Sequence, residues 1–204
     1  MSAARNIAMV GALALTACGM AAAGVEIGAP APDFTLESSD AATVSLADYR
    51  GQYVVLEWTN HDCPYVRKHY ESGNMQALQR EATEQGITWL TIISSAPGKQ
   101  GHVDAAQANS LTASRDAAPD AVLFDSNGDV GNAYAAKTTP HMYIVDPQGR
   151  LIYQGGIDDK PTSRKADIET ATNYVRKALG EALAGEQVVN AVTRPYGCSV
   201  KYKS

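Results

Sequence analysis

The residues best suited to chemistry are two cysteines far apart in the chain: Cys63 in Asn60-His61-Asp62-Cys63-Pro64, and Cys198 in Pro195-Tyr196-Gly197-Cys198-Ser199. A cysteine is nucleophilic as its thiolate, so a reactive one needs surroundings that favour negative charge. Tyr53 to Thr59 (YVVLEWT) is a nearly continuous apolar run rich in Val and aromatics, the pattern of a central strand buried on both faces. Asn60 to Cys63 then reads as a loop. Pro64 opens a helix, where its missing N–H costs nothing at the first position. Cys63 therefore stands at a helix N-terminus, where unpaired N–H groups and the positive end of the helix dipole stabilise a thiolate. Arg67 and Lys68, one turn on, add positive potential, and His61 lies two residues before. The opposing reading is an inert buried cysteine. The strand–loop–Cys-Pro–helix setting favours the reactive one.

Other residues lend support. Glu57 interrupts the buried strand, and an unpaired carboxylate there is costly, so it is either paired or held near-neutral. Pairing with a Lys or Arg is the favoured expectation, and a proton acceptor for the thiol is the alternative. Trp58 reads as core packing beneath the active loop. His61, His69 and His141 form at best a loose cluster around Cys63, with His69 expected to be a solvated helix residue. Thr139-Pro140 precedes the strand-like HMYIVD, and a proline at the first residue of a strand is tolerated. It is either an ordinary trans proline or a cis-proline whose neighbouring backbone faces the sulfur and pairs with an incoming peptide.

These residues need elements to hold them. Asp33 to Leu36 reads as a short strand and Ser45 to Tyr49 as a helical turn. The helix from Pro64 breaks or kinks at Ser72-Gly73-Asn74 and resumes over Met75 to Gln85, with Gly86 as its stop. Ile87 to Ser94 is a second buried strand, His102 to Arg115 a helix, Ala121 to Asp125 a strand, and Val130 to Ala136 a short helix. His141 to Asp146 and Leu151 to Gly155 are strands joined by Pro147-Gln148-Gly149-Arg150. Ile168, Val175, Leu179 and Leu183 mark one face of a closing helix. The tail from Glu186 is irregular. Strands alternating with helices, followed by a hairpin and a helix, indicate an α/β fold with a mixed sheet.

The segments WTNHDCPYVRKHY and KTTPHMYIVDPQGRLIYQG, in this element order, resemble the thioredoxin superfamily, and most closely its redoxin and AhpC/TSA (peroxiredoxin-like) group, from residue 25 to about 184. The resemblance implies a thioredoxin-like fold, a central mixed β-sheet flanked by helices. It matches Cys63 to the nucleophilic cysteine, Pro140 to the cis-proline, and Thr139 to the residue before it. It departs in three places. A C-x-x-C pair needs a cysteine where Val66 stands. The peroxidatic pattern P-x-x-x-[ST]-x-x-C has Leu56 and Asn60 at its two marked places, with Thr59 one residue off. The place of the peroxide-activating arginine falls near Pro140, where this sequence has no arginine. These departures argue against efficient peroxidase chemistry. A C-terminal resolving cysteine is familiar in peroxiredoxin-like proteins, and Cys198 fits that role. It would release Cys63 from a sulfenic acid or mixed disulfide. The alternative is a permanent structural disulfide, whose loop closure stabilises by about 5 kcal/mol before strain, or two cysteines that never meet.

The chain's 204 residues, 45% apolar and 19% charged, suit one domain with a sizeable core. A net charge of −5 and the lack of a basic run exclude a phosphate-tracking surface, so no nucleic-acid partner is expected. No stretch of about 18 apolar residues exists to span a membrane. Ile7 to Ala17, behind Arg5, reads as a signal-peptide core. Ala21-Ala22-Ala23 fits a cleavage site, making residues 1–23 the signal peptide, 24–185 the domain and 186–204 a tail carrying Cys198. Alternatively Leu15-Thr16-Ala17-Cys18 resembles a lipobox, which removes 1–17 and anchors Cys18 to lipid. Either implies a periplasmic or otherwise extracytoplasmic protein, where two remaining thiols can pair.

The leading functional expectation is an exported thiol-disulfide oxidoreductase or peroxiredoxin-like antioxidant protein. Its partners would be a thiol reductant and either a protein disulfide or a peroxide. One alternative is a Sco-like copper-binding protein using Cys63, His61 and His141. The other is a non-catalytic binding module with a structural Cys63–Cys198 bridge. No G-x-G-x-x-G after a strand and no P-loop occurs, so no cofactor is expected.

Overall fold

The computed structural model describes residues 24–203. The elements in chain order are β1 (Thr35–Ser38), β2 (Thr43–Ser45), β3 (Val54–Trp58), α1 (Pro64–Glu71), α2 (Asn74–Glu84), β4 (Thr88–Ile93), α3 (Ala105–Ser114), β5 (Ala121–Phe124), α4 (Asp129–Ala133), β6 (Thr138–Thr139), β7 (His141–Val145), β8 (Leu151–Gly155), α5 (Tyr174–Leu183) and β9 (Cys198–Ser199). Seven strands form one mixed sheet in the order β2-β1-β5-β4-β3-β7-β8, and β6 pairs with β9 in a separate ladder. β3 runs parallel to β4 and antiparallel to β7. The architecture is the expected thioredoxin-like one.

The buried strands alternate between two cores. Val54, Leu56 and Trp58 of β3 join Phe34, Leu90 and Tyr143 on one face, which α4 covers through Val130. Val55 faces the other way, among Met75 of α2, Ile144 of β7, and Val175 and Leu179 of α5. Cys63 and Val66 belong to this second core. Because β3 is flanked on both edges and covered on both faces, all five of its residues are buried, which is why it reads as a continuous apolar run.

Most expected elements occupy their places, with shifted ends. The first strand starts at Thr35 rather than Asp33, and α3 spans only Ala105–Ser114 because Asp104 and Gln107 form a capping box at its start. Ile168 lies in a separate 3₁₀ turn, outside α5.

The tail is the largest difference from the sequence reading. It is a strap rather than irregular chain. Gln154 N–H donates to Ala191 O and Thr193 N–H to Gln154 O, which seats the strap beside β8. Beyond β9, Val200 N–H donates to Lys137 O at 3.1 Å, Ala96 N–H to Lys201 O at 2.9 Å, and the Tyr202 hydroxyl to Ala136 O at 2.7 Å. The strap thus crosses the end of the sheet where β3 delivers Cys63.

Leu56 is fully buried in the centre of β3. Leu56→Ala should lower stability by about 2–5 kcal/mol through lost burial and the cavity left behind, measured as a shift in the urea unfolding midpoint.

Candidate active site

Asn60 shapes the loop that carries the cysteine. Its side-chain oxygen accepts from Asp62 N–H at 2.9 Å, its amide donates to Gln100 O, and its carbonyl accepts from Cys63 N–H at 3.0 Å. Cys63 is the N-cap of α1, in extended conformation, with Pro64 at the first helical position. Its side chain is 0% exposed. The Cys63 thiol donates to the carbonyl of Thr139 at 3.1 Å, and the Thr139–Pro140 peptide bond is cis.

Cys198 arrives at the same backbone. β6 and β9 pair antiparallel with Thr139 opposite Cys198 and Thr138 opposite Ser199. Gly197 makes this approach feasible. Its φ is +132°, and a Cβ there would stand 2.0 Å from Thr139 O. Cys198 is half-buried, and both cysteines are thiols in this structure. Burial, a hydrogen bond with Cys63 and the charge of a Cys63 thiolate push the Cys198 thiol up to about 12.

Beneath the strap lies a buried polar cluster. Lys68 Nζ, 1% exposed, donates to Asp158 at 3.3 Å, to Lys160 O at 2.9 Å and to the Tyr196 hydroxyl at 3.4 Å. The Tyr196 hydroxyl donates its single proton to Asp158, so it accepts from His69 Nε2 at 3.1 Å. That fixes the His69 tautomer, leaving Nδ1 to accept from Asn74 at 2.9 Å. Tyr196 precedes Cys198 by two residues, so the cluster anchors the strap next to its cysteine.

Several expected placements change. His69 is 0% exposed rather than solvated, and burial together with the Lys68 charge lowers it to about 3. Lys68 faces Asp158 instead of adding free positive potential, and Arg67 is exposed beside Glu71. Among the described residues Glu57 has no cationic partner. It accepts from Tyr70 at 3.0 and 3.2 Å, Trp89 at 3.0 Å, Thr91 at 3.2 Å and Gln79 at 3.4 Å. Burial raises it above the ordinary carboxylate range against the pull of these bonds. Trp58 packs against Tyr134 and Tyr143 on the face opposite Cys63, with its indole N–H on Ser94 at 3.0 Å.

The histidines do not converge. His141 stacks on Tyr143, on the Trp58 face, and burial lowers it to about 3. His61 is half-buried, and its carbonyl accepts from Arg115 at 3.2 Å. Among the described residues, no group of three or more His, Cys, Asp or Glu is arranged to hold a metal. The donor set suggested for copper is therefore not assembled. The signal segment, its cleavage site and Cys18 lie outside the described residues.

The AhpC/TSA family model matches residues 27–154. The chain belongs to the AhpC/TSA family. Among curated proteins, the thioredoxin-like protein YneN of Bacillus subtilis (strain 168) is 28% identical over 149 residues, covering 72% of this chain and 82% of YneN. Among solved structures, the hypothetical protein SMc02350 of Sinorhizobium meliloti 1021 is 21% identical with a TM-score of 0.75, covering 89% of this chain and 97% of that one. An uncharacterized conserved protein of Geobacillus kaustophilus is 25% identical with a TM-score of 0.73, covering 87% and 93%. The thioredoxin domain of thiol-disulfide oxidoreductase BVU-2223 from Bacteroides vulgatus shares the fold at 18% identity and a TM-score of 0.52, covering 72% and 98%. The AhpC/TSA match stops before the strap, so Cys198, Tyr196 and Asp158 lie beyond it.

The sequence pattern marks Lys68 only as a charge near Cys63, and gives Asp158 and Tyr196 no motif of their own; their partnership exists only in the fold.

The buried imidazoles make stability depend on pH. Their folded values lie below the ordinary 6.5, so between about 3 and 6.5 the unfolded chain binds protons that the folded one refuses. Their contribution is complete above 6.5 and is lost as pH falls. Glu57 works in the opposite sense: its contribution is complete below the ordinary 4.5 and is lost as pH rises through its raised value. The urea midpoint should therefore fall as pH drops from 6.5 to 4.5, and His69→Gln should flatten that decline.

Proposed function

We propose that this AhpC/TSA-family protein is an exported thiol-disulfide oxidoreductase, with Cys63 as nucleophile and Cys198 as resolving cysteine. The observation that carries the reading is the meeting of both cysteines at one backbone residue, Thr139. Cys63 attacks an oxidant and becomes a sulfenic acid or mixed disulfide. Cys198 then attacks the Cys63 sulfur, the disulfide forms, and water or a thiol leaves. A thiol reductant returns both cysteines to the start.

The state of Cys198 suits this order. Before oxidation its proton is retained, by burial and by the sulfur beside it. Once Cys63 is oxidised, its hydrogen bond and charge no longer help to hold the Cys198 proton, and burial is the hold that remains. Thr139 and Pro140 position the sulfur, the carbonyl of the first accepting the Cys63 thiol hydrogen bond. Export is part of the proposal, supported by the leader-like Ile7 to Ala23. Among the described residues, no helix is long and apolar enough to cross a membrane.

The test is limiting hydrogen peroxide in the presence of a 1,3-dione that traps sulfenic acids. Cys198→Ser should accumulate trapped Cys63 at least roughly tenfold above the unsubstituted protein, because the resolving attack is missing. Cys63→Ser should leave Cys198 as a thiol. Equal oxidation of Cys198 with or without Cys63 would contradict the assignment of roles.

A further inference from the structure

An extended peptide that offers a disulfide to a buried-edge cysteine binds by adding a strand to whatever backbone lies next to the sulfur. Here that backbone is Thr138–Thr139, whose second residue accepts the Cys63 thiol. Its pairing edge is taken. Ser199 and Cys198 of β9 occupy it in register. Gly197 lies so near Thr139 O that not even a Cβ fits between them. The occupant is pinned on both sides, by Tyr196 in the Lys68–His69–Asp158 cluster and by Tyr202 on Ala136 O. Under it, Cys63 is 0% exposed.

We propose that β9 is a built-in occupant of the peptide edge, and that the oxidant of Cys63 is a low-molecular-weight compound with a weak O–O or S–S bond rather than a disulfide within a protein. The inference rests on the redox role of Cys63 and names its substrate class. A disulfide in a protein brings its own backbone and must align its S–S bond with the attacking sulfur, and the strap leaves no edge for that. A small molecule needs only a path. Beside the strap lies a groove of about 470 Å³, bordered by Tyr65, Thr138, Asp158, Arg194 and Gly197. Neither cysteine lines this groove, so a small molecule that enters it reaches the buried Cys63 sulfur only past Thr138 and Gly197.

The chemistry balances. The Cys63 thiolate attacks one atom of the X–X′ bond. That bond breaks, Cys63–S–X forms, and X′ leaves with its electron pair and takes up the proton Cys63 released. The Cys198 thiolate then attacks the Cys63 sulfur and expels X, which takes up the Cys198 proton. Two thiols are oxidised to one disulfide, and X–X′ is reduced to XH and X′H. A thiol reductant supplies the two electrons for the return.

The experiment follows the loss of free Cys63 in the reduced full-length protein, by quenching and mass spectrometry. Hydrogen peroxide, bis(2-hydroxyethyl) disulfide and a disulfide-bonded unfolded protein are compared at equal concentration. At least one small oxidant should react at least about tenfold faster than the protein disulfide, since the latter must wait for the strap to open. Which of the two is faster identifies the bond type. Gly197→Val, which cannot keep β9 against Thr139, should raise the protein-disulfide rate and narrow the gap. Amide exchange at Val200 reports whether the strap has been released. Equal rates in the unsubstituted protein overturn the inference, as does an unchanged gap once exchange shows release. If that variant does not fold, the unsubstituted comparison still decides. Should Cys63 resist all three oxidants in both proteins, the redox role itself fails, and the substrate class falls with it.

Discussion

The backbone of Thr139 is the constraint on which the site depends. Its carbonyl accepts the Cys63 thiol, and its strand pairs with Cys198, so one residue fixes the position of two sulfurs distant in the chain. Everything nearby serves that meeting. Asn60 folds the loop that ends β3 so that Cys63 caps α1 beside Thr139. Gly197 lets the tail backbone come closer than any side-chain-bearing residue could. Moving Thr139 would separate both contacts at once.

The sheet divides its labour by face. Trp58, Tyr134 and Tyr143 fill the side away from Cys63 with aromatic packing, and Trp58 is tied to Asp125 through Ser94. The Cys63 side carries the buried Glu57 and Lys68. Glu57 is satisfied there by neutral donors, and Lys68 is neutralised by Asp158. A buried ion pair adds little net stability, because desolvation offsets much of the attraction, but removing one partner is costly. In this molecule the pair has a positional consequence. Tyr196 is bonded into it, so the strap has one seat, and Cys198 follows.

Much of this was legible from local pattern. YVVLEWT followed by a loop and Cys-Pro marks a strand feeding a helix, and β3, Cys63 and α1 stand where that pattern puts them. The hairpin of β7 and β8 follows from its turn residues and matches within a residue. What escaped is what depends on distant partners. β9 has two residues and no periodicity, and exists because β6 offers it an edge. His69 sits on a short polar-looking helix, and its burial comes from Tyr196, far along the chain. Glu57 finds Tyr70, Gln79, Trp89 and Thr91 from three other elements, so a search for a single cation was bound to miss them.

The central claim is that Cys63 and Cys198 form one redox pair. The most direct measurement is a non-reducing peptide map of the monomer after one equivalent of hydrogen peroxide. The account predicts a single intramolecular link between the peptides carrying Cys63 and Cys198, reversed by a dithiol reductant. Recovery of Cys63 as a sulfinic acid with Cys198 still free, or of disulfides only between chains, would contradict it.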